Sequence, residues 1–139
     1  MIILDTNVLS ALMKPAYEVE AARFLDRQRA GILWTTTITV FEVHLGIEGL
    51  APSRKRATLE TAFEHVLRIV LEDQVLSFDL DASVEAARIM AARGKSGRTV
   101  DIRDTMIAGI AVSRQASIAT RNIRHFDDLP VSVIDPWQQ

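Results

Sequence analysis

The chain has 139 residues, 48% of them hydrophobic and 24% charged, with no cysteine and a formal net charge of −2. That length suits one ordinary domain with a core of its own, and the missing cysteines exclude disulfides and thiolate-held zinc. The slight negative charge argues against a general nucleic-acid coat, so any nucleic-acid contact has to come from a local basic patch.

Ile2-Ile3-Leu4 reads as a first buried strand, and a short helix is expected from about 7 to 13, broken at Lys14-Pro15. An amphipathic helix is expected over 17–29, from Val19, Ala22, Phe24 and Leu25, with Gly31 ending it. Residues 32–36 are rich in β-branched and aromatic residues and predict the second strand. A helix over 39–50 is punctuated by Pro52-Ser53, and a long helix over 54–71 carries Leu59, Phe63, Val66, Leu67 and Val70 at helical spacing. Residues 75–78 predict the third strand, 82–92 a helix, 94–98 a glycine-bearing basic loop and 101–114 a further helix. Strands over 117–120 and 131–134 complete the set.

Alternation of this kind implies the α/β class: a mainly parallel five-stranded sheet flanked by helices, an α/β/α sandwich, with 1–139 as a single domain. The longest strong apolar run, Met106 to Val112, falls far short of the ~20 residues of a membrane helix. The opening Met1-Ile2-Ile3-Leu4-Asp5 lacks the basic head and long apolar stretch of a secretory signal, so a cytoplasmic location without membrane association is expected.

Ligands of open parallel sheets gather beyond the carboxyl ends of the strands. Asp5 directly follows the first strand, Glu42 is expected in the first turn of the helix after the second, and Asp104 in the first turn of the helix before the fourth. Asn122 stands two residues past that fourth strand. Each acid also has a local explanation. Asp5 suits a helix cap, Thr39-Val40-Phe41-Glu42 is a capping-box pattern, and Asp101 and Asp104 suit the positive end of a helix dipole. Their joint placement along one sheet edge favours a shared site. Crowded carboxylates repel one another, and a hard divalent cation such as Mg²⁺ or Mn²⁺ resolves that conflict through oxygen ligands alone.

His44, His65 and His125 show no metal-ligand spacing and read as surface or packing residues. Gly94-Lys95-Ser96-Gly97 lacks the spacing of a phosphate-binding loop, and no serine sits in a nucleophile elbow. Arg93, Lys95, Arg98 and Arg103 cluster in sequence, and Arg121 and Arg124 flank Asn122, which predicts cations beside the acidic cleft. Lys and Arg at 54–56 read as the exposed start of a helix.

Taken in order, Ile3-Leu4-Asp5-Thr6-Asn7-Val8-Leu9, Thr39-Val40-Phe41-Glu42 with Gly46 after it, Asp104-Thr105-Met106-Ile107-Ala108 and Thr120-Arg121-Asn122 resemble the PIN domain. The closing Pro136-Trp137 is similar to the FitB-like branch of the VapC toxins, and the resemblance covers essentially the whole chain. It implies a single PIN-like domain and an endoribonuclease dependent on Mg²⁺ or Mn²⁺, the toxin of a type II toxin–antitoxin pair, acting on RNA and often on transfer RNA. Carried over by position, Asp5, Glu42 and Asp104 match the acidic metal ligands, and the fourth catalytic position falls on Asn122, an amide that contributes no charge. Asn7, Thr120 and Asp101 are expected in supporting roles, with Asp101 a candidate to replace the missing charge, and Lys95, Arg98, Arg103 and Arg121 as RNA contacts. The resemblance also implies a homodimer and a small VapB-like antitoxin, through which alone DNA would be contacted.

Two rivals stand beside this reading. A haloacid-dehalogenase-like phosphatase also places Asp after the first strand, but needs a second acid where Asn7 stands. A catalytically weak PIN-like module that binds RNA or a partner draws its support from Asn122.

Overall fold

The computed structural model describes residues 1–16 and 18–139. Tyr17, the first residue of the helix expected over 17–29, lies outside the described residues. The strands are β1 (Ile2–Leu4), β2 (Leu33–Thr36), β3 (Val75–Leu76), β4 (Ser117–Ala119) and β5 (Val133–Ile134). The α-helices are α1 (Thr6–Leu12), α2 (Val19–Asp26), α3 (Thr37–Glu48), α4 (Arg54–His65), α5 (Leu80–Lys95) and α6 (Ile102–Arg114).

All strand pairs are parallel and the sheet order is β3-β2-β1-β4-β5. The chain therefore builds outward from β1 on one side and returns to lay β4 against its other side. The strand order reverses between β1 and β4, which is where a parallel sheet opens a crevice beyond its carboxyl edge. Both faces of the sheet are covered, and alternate side chains part to opposite faces. Ile3 and Ile118 pack with Ile107, Ile110 and Phe126 on one side. Ile2, Leu4 and Ala119 pack with Leu9, Phe24, Val66 and Leu71 on the other.

Helix boundaries depart from the expected ones in three informative places. Helix α3 starts at Thr37, because the Thr36 hydroxyl accepts from the Thr39 amide 3.1 Å away and caps the helix directly after β2. Glu42 thus lies a turn deeper than expected, and the capping box predicted for Thr39 and Glu42 does not form. The long helix expected over 54–71 changes character after His65 into a π-helical turn, Val66–Val70. That turn brings Val66 and Leu71, five residues apart, into the same sheet core. Helix α5 runs through Gly94 and Lys95, so the basic loop is shorter than its composition suggests.

Candidate active site

Asp5, Thr6, Asn7, Ser10, Glu42, Asp101, Arg103, Asp104, Asn122 and His125 line one cleft of about 410 Å³. The topology explains the meeting. Asp5 leaves the end of β1 as the N-cap of α1, its Oδ1 accepting from the Thr6 amide at 2.8 Å. Asp104 sits in the first turn of α6, whose N-cap is Asp101, and Asn122 follows β4. Asp5 is therefore a cap and a cleft residue at once.

The floor of the cleft is a hydrogen-bond relay centred on Thr120, which is fully buried. Its hydroxyl donates to Asp5 Oδ2 at 2.8 Å and accepts from Asn7 Nδ2 at 3.2 Å and from the Asn122 amide at 3.0 Å. A hydroxyl has one donor and two lone pairs, so Thr120 is used to capacity. Asn7 in turn accepts from the Arg121 amide through Oδ1 at 3.1 Å, tying the loop after β4 to α1.

Burial is the largest influence on all three carboxyl groups and pushes each above its ordinary range. For Asp5 the Thr120 and Thr6 hydrogen bonds oppose that rise, while the charge of Asp104 adds to it. For Glu42 the Thr6 hydroxyl, which donates to Oε1 at 3.0 Å, opposes it and Asp5 adds to it. Asp104 is eased downward by His125, whose Nδ1 stands 2.8 Å from Oδ2. The contact is out of line for a hydrogen bond, and Nδ1 has no hydrogen-bond partner among the described residues.

Against known proteins, the family model of the PIN domain matches residues 2–131. The chain belongs to the PIN-domain family. VapC ribonuclease Y4jK of Sinorhizobium fredii is 33% identical to it over 138 residues, 99% of each chain. The tRNA(fMet)-specific endonuclease VapC of Salmonella typhimurium is 33% identical over 136 residues, 96% of each. A structure of FitAB bound to an IR36 DNA fragment matches with a TM-score of 0.88 at 28% identity, covering 100% of this chain and 97% of that one.

In this PIN domain the acids share a cleft without forming a closed cage: among the described residues no three His, Asp or Glu side chains stand at cation-ligand spacing. Each already has protein contacts: Asp5 the Thr120 hydroxyl and the Thr6 amide, Glu42 the Thr6 hydroxyl, and Asp104 the His125 ring. The three carboxyl groups do not converge on the common ion position suggested by the sequence; what they share is the cleft. The donor chemistry nevertheless suits a hard divalent cation, since the acids offer oxygen ligands and all three are raised first by burial and then by a neighbouring carboxylate. Asp101 faces the cleft but is committed to Arg103, accepting from its amide at 2.8 Å and from Nε at 3.2 Å, which holds its carboxyl below the usual range.

His125 is the cleft residue that spacing could not reveal. It is carried by a 3₁₀ turn, Ile123–His125, which has no apolar periodicity to announce it. Arg93, grouped by sequence with the surface cations, is buried at 4% exposure. Arg98 pairs with Asp127 at 2.8 Å, and Arg103 reaches Asp101 and, at 3.8 Å, Glu42. Arg121 pairs with Glu18 at 3.0 Å and stacks over Trp137 at 3.8 Å. A phosphate would have to draw these three from existing partners. Lys95 has no ion pair among the described residues, and neither do Arg54 and Lys55, which rim a largely apolar groove floored by Met13, Val43, Ile47 and Leu59. That groove shares Thr6, Ser10 and Glu42 with the acidic cleft. Among the described residues no helix is long and apolar enough to cross a membrane.

Proposed function

We propose that this chain is the toxin of a type II toxin–antitoxin pair, an endoribonuclease that uses Mg²⁺ or Mn²⁺ to cut RNA, with transfer RNA as a candidate substrate, and thereby slows translation. The carrying observation is the meeting of Asp5, Glu42, Asp104 and Asn122 in one cleft at the reversal point of the sheet, with all three carboxyl groups raised by burial. Residues 1–139 act as one PIN unit and as a homodimer. A small VapB-like antitoxin holds it silent, and DNA is reached only through that partner, in keeping with the FitAB structure on a DNA fragment.

Asp5, Asp104 and Glu42 are the metal ligands in this reading, with Asn122 completing the catalytic set through its carbonyl oxygen. When bound, such a cation polarises the scissile phosphate and lowers the pKa of a coordinated water. The protein's own part is orientation and proton handling. Thr6 and Thr120 lock Asp5 through one oxygen each. Glu42 is held through Oε1 by the Thr6 hydroxyl while Oε2 faces the Arg103 guanidinium at 3.8 Å, and its carboxylate is the candidate acceptor for the proton of the attacking water. Asn7 and Thr120 hold the floor, and Asp101 keeps Arg103 at the rim. Lys95, Arg98, Arg103 and Arg121 are the RNA contacts proposed around the cleft, and Arg54 and Lys55 extend the cationic path along the adjoining groove.

The test is incubation of antitoxin-free protein with total cellular RNA and Mg²⁺ or Mn²⁺, followed by mapping of new 5′ ends, beside Asp5→Ala. Metal-dependent cleavage by the wild type alone is expected. Equal inertness of both proteins would favour the non-catalytic binding module.

A further inference from the structure

Arg93 lies on α5 with its guanidinium buried, and among the described residues the guanidinium bonds go to two segments. Nε donates to Asp128 Oδ2 at 2.8 Å and Nη2 to Asp128 Oδ1 at 2.9 Å, a bidentate pair. Nη2 also donates to the His125 carbonyl at 2.7 Å, and Nη1 to the Thr105 hydroxyl at 2.9 Å. Thr105 is the residue after Asp104 at the start of α6, while His125 and Asp128 belong to the turn that follows Asn122. One planar, rigid fork therefore joins the two walls of the cleft, the wall bearing Asp104 and the wall bearing Asn122 and His125. Replacement of a buried ion pair by apolar groups is often neutral for stability, so this network is poorly explained as a stabilising device alone. Its directional bonds all fix the position of cleft-wall segments.

We propose that Arg93 is a positioning residue that sets the spacing between Asp104 and the Asn122–His125 turn, and through that spacing the cleft's hold on a divalent cation. The inference rests on the nuclease reading above, and its experiment separates the two. Mn²⁺ alone is titrated calorimetrically into wild type, Arg93→Lys and Asp128→Asn, with hydrogen exchange measured over residues 122–128 and the Tm of each protein recorded. Lysine keeps the charge but loses the fork, whereas Asp128 is partly exposed, so its variant can fold if Arg93→Lys does not. A folded variant should bind Mn²⁺ roughly 10- to 100-fold more weakly, the usual effect of removing a group that orients a ligand, and should exchange faster over 122–128. A fall in Tm with wild-type Mn²⁺ affinity would show the network to be merely structural and overturn the inference while leaving the nuclease reading intact. A wild type that takes up no Mn²⁺ would sink both.

Discussion

Helix α6 carries Asp104, and its seat depends on a single missing methyl group. A Cβ at Gly109 would stand 2.5 Å from the Ala82 carbonyl oxygen, 2.7 Å from Ala86 Cβ and 2.8 Å from the Ala86 nitrogen. Two of those atoms are backbone, so no rotamer change relieves the contact and α5 and α6 must separate. Overpacking of this kind costs about 1–3 kcal/mol, and contact against backbone places Gly109→Ala at the upper end. Better helix propensity returns about 1 kcal/mol, leaving a net loss of about 2 kcal/mol. With an unfolding entropy of about 2.1 cal/mol/K for each of 139 residues, Tm should fall by about 7 °C. Gly46 in α3 is the control, since an added Cβ there meets nothing within 4 Å. Gly46→Ala should therefore raise Tm by about 3 °C through propensity alone. Thermal unfolding in EDTA, followed by circular dichroism at one protein concentration, measures both. Equal or higher Tm for Gly109→Ala would refute the argument, because it would mean that the two helices part at no cost.

Three further outcomes follow from the cleft and its surroundings. The Asp5 carboxyl is raised in the folded state, so the native protein binds more protons than the unfolded chain between the two pKa values, and stability falls as pH rises through that window. Asp5→Asn should accordingly gain stability relative to wild type, measured in EDTA, as pH rises above the ordinary aspartate range; a difference that runs the other way in urea titrations would count against a raised Asp5. Thr120→Val leaves Asp5 Oδ2, Asn7 Nδ2 and the Asn122 amide each short of a bond. A loss of about 1–3 kcal/mol is expected, and unchanged denaturation midpoints would show the relay to be dispensable. Glu18 is held at about 2 by its bonds to Lys14 and Trp137, so its contribution persists above pH 4.5 and disappears as pH falls toward 2. In a Trp34→Phe background, Trp137 emission should shift across that acid window, and a flat response would argue that the Glu18 contact does not form.

Much of this molecule was legible residue by residue. The five strands announced themselves by β-branched and apolar runs, α2 and α4 by apolar residues at helical spacing, and Asp5 and Asp104 by standing where a strand ends or a helix begins. These are local signals, carried by neighbours within a turn or a pleat, and a linear reading captures them. The sheet order lay beyond such a reading, because nothing within β1 or β4 states that they will be partners. So did the choice of Thr36 over Thr39 as the cap of α3, which depends on where β2 lets go of the sheet.

The cations show the same division most clearly. Arg93, Arg98, Arg103 and Arg121 look alike in a sequence, yet folding buries the first between α6 and the 122–128 turn and pairs the others with Asp127, Asp101 and Glu18. His125 likewise became a cleft residue only because the turn that bears it is folded back onto Asp104. Composition and periodicity settled which segments would be strands or helices and which of their ends would be acidic. Most of the charge pairings, such as Arg98 with Asp127 and Arg121 with Glu18, were settled by contacts between residues tens of positions apart, and only the assembled chain brings those together.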